Sequence, residues 1–337
     1  MNWGDSWGSG AAFVFAREAR RRDGARASRY GQDRLPSPGA NQMTHDLSYL
    51  LRRIEDAPFR THPFRHLWID DFFEPQDFDA IVSSSQIDLG EARNDADLID
   101  RLHDRGYEAI RFPGSSKDVQ SYLNRRADRA SQKNLNKDTT EDFGMTFRLR
   151  SGQPGSIVES ILALLSSDGF WSTLAQKFDI DIDAVTREAG VQKYLDGYEI
   201  SPHPDIRRKA LTFMTNINPS PDSERLEFHT SYLTFTRARE YVKDRWEADP
   251  TIERCWVPWD WCEVEAQQRR NNSFVAFSPS HNTLHAVKAS YDHLATQRTQ
   301  IYGNLWRETD SLPYPTWQDF DDWAKRGSDP NEPIRPA

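Results

Sequence analysis

The chain of 337 residues contains only two cysteines, Cys255 and Cys262, flanking the tryptophan-rich stretch CWVPWDWC. Neither sits in a CxxC or other zinc-binding spacing, which excludes a disulfide framework and a thiolate metal site. We read them as reduced thiols. Positive charge is also in deficit: 43 Lys and Arg stand against 52 Asp and Glu, a formal net charge of −9. Phosphate binding depends on an excess of basic side chains, so broad contact with nucleic acid or an anionic membrane is not expected. No apolar run approaches the roughly 20 residues of a membrane span. The short AAFVFA precedes its basic cluster, the reverse of a secretory signal's order. The expected location is the cytoplasm, and the expected partner is a small molecule. No internal repeat is visible.

What the chain does have is apolar material, 37% hydrophobic and 12% aromatic, enough for a substantial core. Residues 1–42 are rich in Gly, Ser, Ala and Arg and read as a disordered arm, an upstream extension if translation begins at Met43. Residues 43–330 read as one domain. Its first part, about 43–187, carries helical spacing in MTHDLSYLLRRIEDA, EPQDFDAIVSSS, DVQSYLNRRADRASQ and SIVESILALLSSDGFWSTLAQKF, with a short strand at HLWIDDFF. From about 188 to 307 strands dominate: KYLDGYEI, ALTFMTNIN, FHTSYLTF, NSFVAFSP, LHAVKA and TQIYGNLW. The pattern predicts an α+β chain, with a barrel or double-sheet jelly roll behind a helical layer.

The chemistry concentrates in GYEISPHPDIRRKALTFMTNIN, residues 197–218. If His203 and Asp205 lie on a strand, alternation points both to one side, as two ligands of one ion require. Pro204 biases His203 toward an extended conformation. The same HPD serves equally as a polar turn ahead of a strand. Further on, His285 sits in an apolar-alternating context, and Arg298 leads a strand with Gln300 and Tyr302 on its face.

The ordered series Y…G…HxD…R…T…N, then a strand ending in F-x-P, then H-x-V and a later R-T, resembles the Fe(II)- and 2-oxoglutarate-dependent dioxygenases, in particular the prolyl-hydroxylase-like branch. The resemblance covers roughly residues 188–307. It implies a double-stranded β-helix (jelly-roll or cupin-like) core and metal ligation by His203, Asp205 and His285, an arrangement that leaves open positions for a keto acid and O2. Arg298 would grip the distal carboxylate of 2-oxoglutarate, Tyr194 would donate a hydrogen bond to it, and Asn216 would be a further polar contact to the cosubstrate. The implied outcome is hydroxylation of an unactivated carbon of a small molecule, with release of succinate and CO2. Desaturation or cyclisation is the alternative with the same cofactors. A zinc hydrolase using the same ligands, or a binding protein that has lost turnover, would be readings of another class. Asp205 argues against halogenation, because related halogenases have a small residue there.

Two departures from the pattern are plain. His285 and Arg298 are 13 residues apart, so YDHLATQ must form a longer turn, and a large insert, about 236–265, separates two central strands. Trp256, Trp259 and Trp261 in that insert could stack on a substrate ring or pack the insert onto the barrel. Arg207 and Arg208 read as a solvated loop, with attraction of an acidic substrate as the alternative. His229 reads as a hydrogen-bonded histidine, His281 as part of a turn and His293 as part of the loop before Arg298.

Overall fold

The computed structural model describes residues 45–111, 115–116, 118–127, 144–253 and 255–309. The arm predicted at 1–42 lies outside the described residues. Among these residues the chain forms seven helices: α1 (Tyr49–Asp56), α2 (Pro75–Val82), α3 (Asp95–Asp104), α4 (Val119–Ala127), α5 (Ile157–Ser166), α6 (Asp168–Lys177) and α7 (Tyr241–Ala248). The strands are β1 (Phe59–Arg60), β2 (His66–Ile69), β3 (Tyr107–Ile110), β4 (Thr146–Leu149), β5 (Val185–Tyr194), β6 (Glu199–His203), β7 (Lys209–Asn216), β8 (Thr230–Phe235), β9 (Cys262–Gln267), β10 (Phe274–Phe277), β11 (His285–Lys288) and β12 (Arg298–Arg307).

The segment 156–178, read as one amphipathic helical stretch, is two helices. Ser167 takes extended backbone (φ −82°, ψ 143°) and caps α6 by accepting from the Phe170 amide, while Ser156 caps α5 by accepting from the Glu159 amide. A capping serine in mid-pattern ends one helix and starts the next. KYLDGYEI likewise splits into the end of β5 and the start of β6, because Gly197 (φ 83°) supplies a left-handed turn. The region read as helical also contributes β3 and β4. The strand β9, inside the insert, was not foreseen in the sequence pattern.

Two antiparallel sheets result, one of eight strands in the order β1-β2-β10-β7-β12-β5-β4-β3 and one of four in the order β6-β11-β8-β9. Helices α1 to α6 cover one face of the larger sheet, and α7 packs within the insert. Leu211 and Phe213 of β7, Phe274 of β10, Val191 of β5 and Ile301 of β12 belong to one buried cluster with Leu50, Ile54, Ile161, Phe170 and Trp171. Burial of each such large apolar side chain stabilises by roughly 1.5–3 kcal/mol. Gly303 pairs with Phe213, and a Cβ there would meet the Phe213 ring at 2.5 Å. The glycine is what lets the ring lie across β12.

Alternation turns the other residues of these strands away from the helices. Met214 of β7 and Tyr302 of β12 cluster with Tyr232 of β8, in the smaller sheet. The polar residues of interest lie on this second face.

Candidate functional site

Strand β6 ends at His203, and Pro204 leads into Asp205, whose backbone is left-handed (φ 73°). The two side chains therefore do not converge by strand alternation, as the sequence suggested. A turn brings them together, and aspartate tolerates that conformation better than most residues. The turn is held by Asp205 itself: Lys209 Nζ lies 2.6 Å from its Oδ1, and Thr212 Oγ1 donates to its Oδ2 at 2.7 Å. His285 opens β11, and its Cα pairs with that of His203 across the two strands.

Both imidazoles are oriented by backbone. His203 Nδ1 lies 2.7 Å from the Ser201 carbonyl, and His285 Nδ1 3.0 Å from the Thr283 carbonyl. A carbonyl only accepts, so each Nδ1 carries a hydrogen, which in a neutral ring leaves Nε2 as the acceptor. Both Nε2 atoms face Asp205: His203 Nε2 is 3.5 Å from Oδ1, and His285 Nε2 is 3.7 Å from Oδ2. These spacings exceed good hydrogen-bond lengths. They are near the roughly 3.0–3.4 Å expected between two ligands each about 2.1 Å from a shared ion. The three ligand atoms lie within 4.8 Å of one another, and all three residues are buried.

Charge states fit the same reading. Burial, with His203 beside it, pushes His285 down to about 3, so it is neutral near pH 7. Burial alone would raise the Asp205 carboxyl, but the Lys209 ammonium beside it outweighs burial and holds the group well below the usual carboxylate range. A neutral imidazole and an ionised carboxylate are the forms a metal ion requires.

The triad opens on a cavity of about 230 Å³, whose walls include Tyr194, Arg298, Thr230, Lys209, Trp256 and Trp306. Arg298 begins β12 and pairs with Tyr194 at the end of β5. It is 3% exposed. Its Nη2 donates to Thr230 Oγ1 at 3.1 Å, and its guanidinium carbon stands 4.5 Å from the centre of the Tyr194 ring. Burial lowers its pKa, opposed by the surrounding tyrosines, and no carboxylate among the described residues pairs with it. A buried, uncompensated charge costs several kcal/mol. Thr230 pairs with Val287, and Tyr232 with His285. The guanidinium thus binds β8 two residues, about 7 Å, from the level of the triad. Burial also raises the Tyr194 hydroxyl above its ordinary pKa, so it stays protonated.

The structure brings His203, Asp205, His285, Arg298 and Tyr194 to one cavity. Asn216 stands behind it: its Nδ2 donates to the Gln268 carbonyl at 2.8 Å, and its Oδ1 accepts from Gln300 Nε2 at 2.8 Å. That amide is consumed in tying β7 to β12, while Gln300 lines the cavity. Trp256 is in the wall, but Trp261 packs against Val242 and Trp246 of α7, and Trp259 Nε1 donates to Glu199. Arg207 lies over the Trp246 ring at 3.9 Å and donates to the Ile252 carbonyl, and Arg208 pairs with buried Glu253. These arginines pin the insert rather than forming a solvated loop. His229 is buried against the Ser223 carbonyl, and His281 lies 3.5 Å from Glu247, apart from the triad. Lys209 and Thr212 were missed in the sequence, although a cation four residues after a candidate ligand carboxylate was a signal.

No family model matches the chain, and no curated protein does. Solved structures do. A prolyl-4-hydroxylase from Pseudomonas putida is 13% identical over 64% of this chain and 100% of its own, with a TM-score of 0.31. The chain is similar to 2OG-Fe(II) oxygenases. One of that family from Burkholderia pseudomallei is 15% identical over 66% of this chain and 96% of its own (TM-score 0.28). A Trichoplax adhaerens prolyl hydroxylase, solved with a hypoxia inducible factor peptide, is 11% identical over 71% and 96% (TM-score 0.30).

Proposed function

We propose that this protein is an Fe(II)- and 2-oxoglutarate-dependent oxygenase that hydroxylates an unactivated carbon of a small molecule, releasing succinate and CO2. One observation carries the reading. A buried guanidinium with no carboxylate partner among the described residues opens on the same cavity as two imidazole lone pairs and a carboxylate spaced for one ion. A short dicarboxylate that chelates the ion at one end and meets Arg298 at the other satisfies both requirements at once.

The donor set fits iron(II): two histidines and one carboxylate leave positions for a keto acid and O2. The bound metal and keto acid would supply the activation of dioxygen. The chain's own residues do the rest. His203, Asp205 and His285 hold the ion, Lys209 and Thr212 fix both Asp205 oxygens, and Arg298 and Tyr194 orient the far carboxylate. Tyr302, Trp256 and Trp306 limit water and shape the substrate end.

The fold we infer is a double-stranded β-helix. From β5 to β12 the chain passes between the two sheets at every step except β8 to β9, which pair within the smaller one, so that β5, β7, β10 and β12 lie in one sheet and β6, β8, β9 and β11 in the other. Such interleaving is how a double-sheet jelly roll is wound.

The test is release of labelled CO2 from 2-oxoglutarate carrying the label at carbon 1. Protein reconstituted with Fe(II) under argon and then exposed to air should form CO2 and succinate in equal amounts, well above a His203→Ala control. Turnover no greater than that control would refute the assignment.

A further inference from the structure

Strand β5 carries Glu188, Gly190, Gln192 and Tyr194 on the face turned toward the cavity, and Arg148 of β4 lies across that face. Arg148 pairs with Gln192 in the strand register. Its Nη2 reaches Glu188 Oε1 at 2.7 Å. The aliphatic stem occupies the space a side chain at 190 would need, since a Cβ on Gly190 would sit 3.2 Å from Arg148 Cγ and Cδ. The glycine is thus the condition for the arginine to cross the strand.

A guanidinium has donors only, so the Gln192 atom that faces it must be the amide oxygen. In that orientation the oxygen accepts from Arg148 Nη2 at 2.5 Å and Nε at 3.0 Å, and the amide nitrogen points at the Tyr194 hydroxyl at 2.6 Å. Gln192 is fully buried. Its N–H donates to the phenol oxygen, so the phenol's own hydrogen is directed away from Gln192. The direction of these bonds is thereby set by one half-buried arginine.

We propose that Gln192, locked by Arg148, is a positioning residue that makes Tyr194 a hydrogen-bond donor to the distal carboxylate of the keto acid held by Arg298. This rests on the 2-oxoglutarate reading above. Without the lock, the amide could turn and accept the Tyr194 hydrogen instead, and the ligand would lose a donor.

The substitution Gln192→Glu isolates the effect. It preserves size and the pairing with Arg148, but it presents only acceptors to Tyr194 and so reverses the bond. Calorimetric titration of the Mn(II)-loaded full chain without O2 reads binding apart from turnover. Gln192→Glu should weaken 2-oxoglutarate about tenfold, the scale of one charge-assisted hydrogen bond. Binding of 2-oxobutyrate, which lacks the distal carboxylate, should be unchanged. In a Tyr194→Phe background the same substitution should have no further effect. Arg148→Met, which frees the amide without adding charge, should weaken 2-oxoglutarate several-fold and serves if Gln192→Glu does not fold.

Wild-type affinity in Gln192→Glu, or an equal loss with Tyr194→Phe present, would overturn the relay while leaving the oxygenase reading intact. A wild-type protein that binds Mn(II) but not 2-oxoglutarate would overturn both.

Discussion

Two clusters of histidine and aspartate lie in this molecule, one half-buried and one buried, and they differ in how donors and acceptors match. Around His293 every nitrogen has a partner. Its Nε2 lies 2.6 Å from Asp95 of α3, its Nδ1 accepts the Asp196 amide at 2.9 Å, and Arg126 of α4 pairs with both aspartates. Around Asp205, by contrast, two Nε2 atoms face one carboxylate at 3.5 and 3.7 Å, beyond good hydrogen-bond length. The first arrangement is complete and acts as a clasp, fastening the 289–297 loop to α3, α4 and the β5–β6 turn. The second is spaced for a shared ion, with Lys209 and Thr212 holding its carboxylate. The same residue types give a closed clasp where donors match acceptors, and a set spaced for one ion where histidine nitrogens converge on a carboxylate.

The sharpest break between the two comes from Asp205→Ala. Loss of a ligand should weaken Co(II) binding by at least about a hundredfold, read from the metal's visible absorption, with the chain still folded. At the clasp, Asp95→Ala should leave Co(II) affinity within about twofold and cost about 1–3 kcal/mol of stability in urea unfolding, because it strands the buried His293 Nε2 while Arg126 keeps Asp196. Metal affinity lost in Asp95→Ala would erase the distinction. Thr212→Val removes one donor to Asp205 and should weaken Co(II) by about tenfold, the lower end of what an outer-shell partner contributes.

A smaller effect concerns His229, which burial, aided by Arg298 and Arg269, lowers to about 4. An unfolded histidine titrates near 6.5. As pH falls through about 6.5 the unfolded chain takes up the proton first, so stability declines down to about pH 4 and then levels for this group. Urea midpoints of the metal-free protein should follow that slope. A His229→Gln variant with an undiminished slope would remove His229 as its source.

Much of this was legible in the chain. Period-two strands and the ordered HPD, H-A-V and R-T motifs pointed to His203, Asp205, His285 and Arg298, which the structure brings to one cavity. What escaped depends on distant contacts. Asn216 alternates onto the right face, yet Gln300 and the Gln268 carbonyl claim its amide. Arg207 and Arg208 look solvent-facing until Trp246 and Glu253 are folded against them. The clasp at His293 joins residues almost 200 apart, and no local pattern encodes such a pairing.

The most direct measurement is anaerobic titration of the Fe(II)-loaded protein with 2-oxoglutarate, following the weak visible charge-transfer absorption of a keto-acid chelate. The band should rise to saturation in the wild type, be absent in His285→Ala, and in Arg298→Met need at least about tenfold more keto acid. Iron bound in the wild type with no band at any concentration would contradict the account, because the open positions beside His203, Asp205 and His285 would then not be for a keto acid.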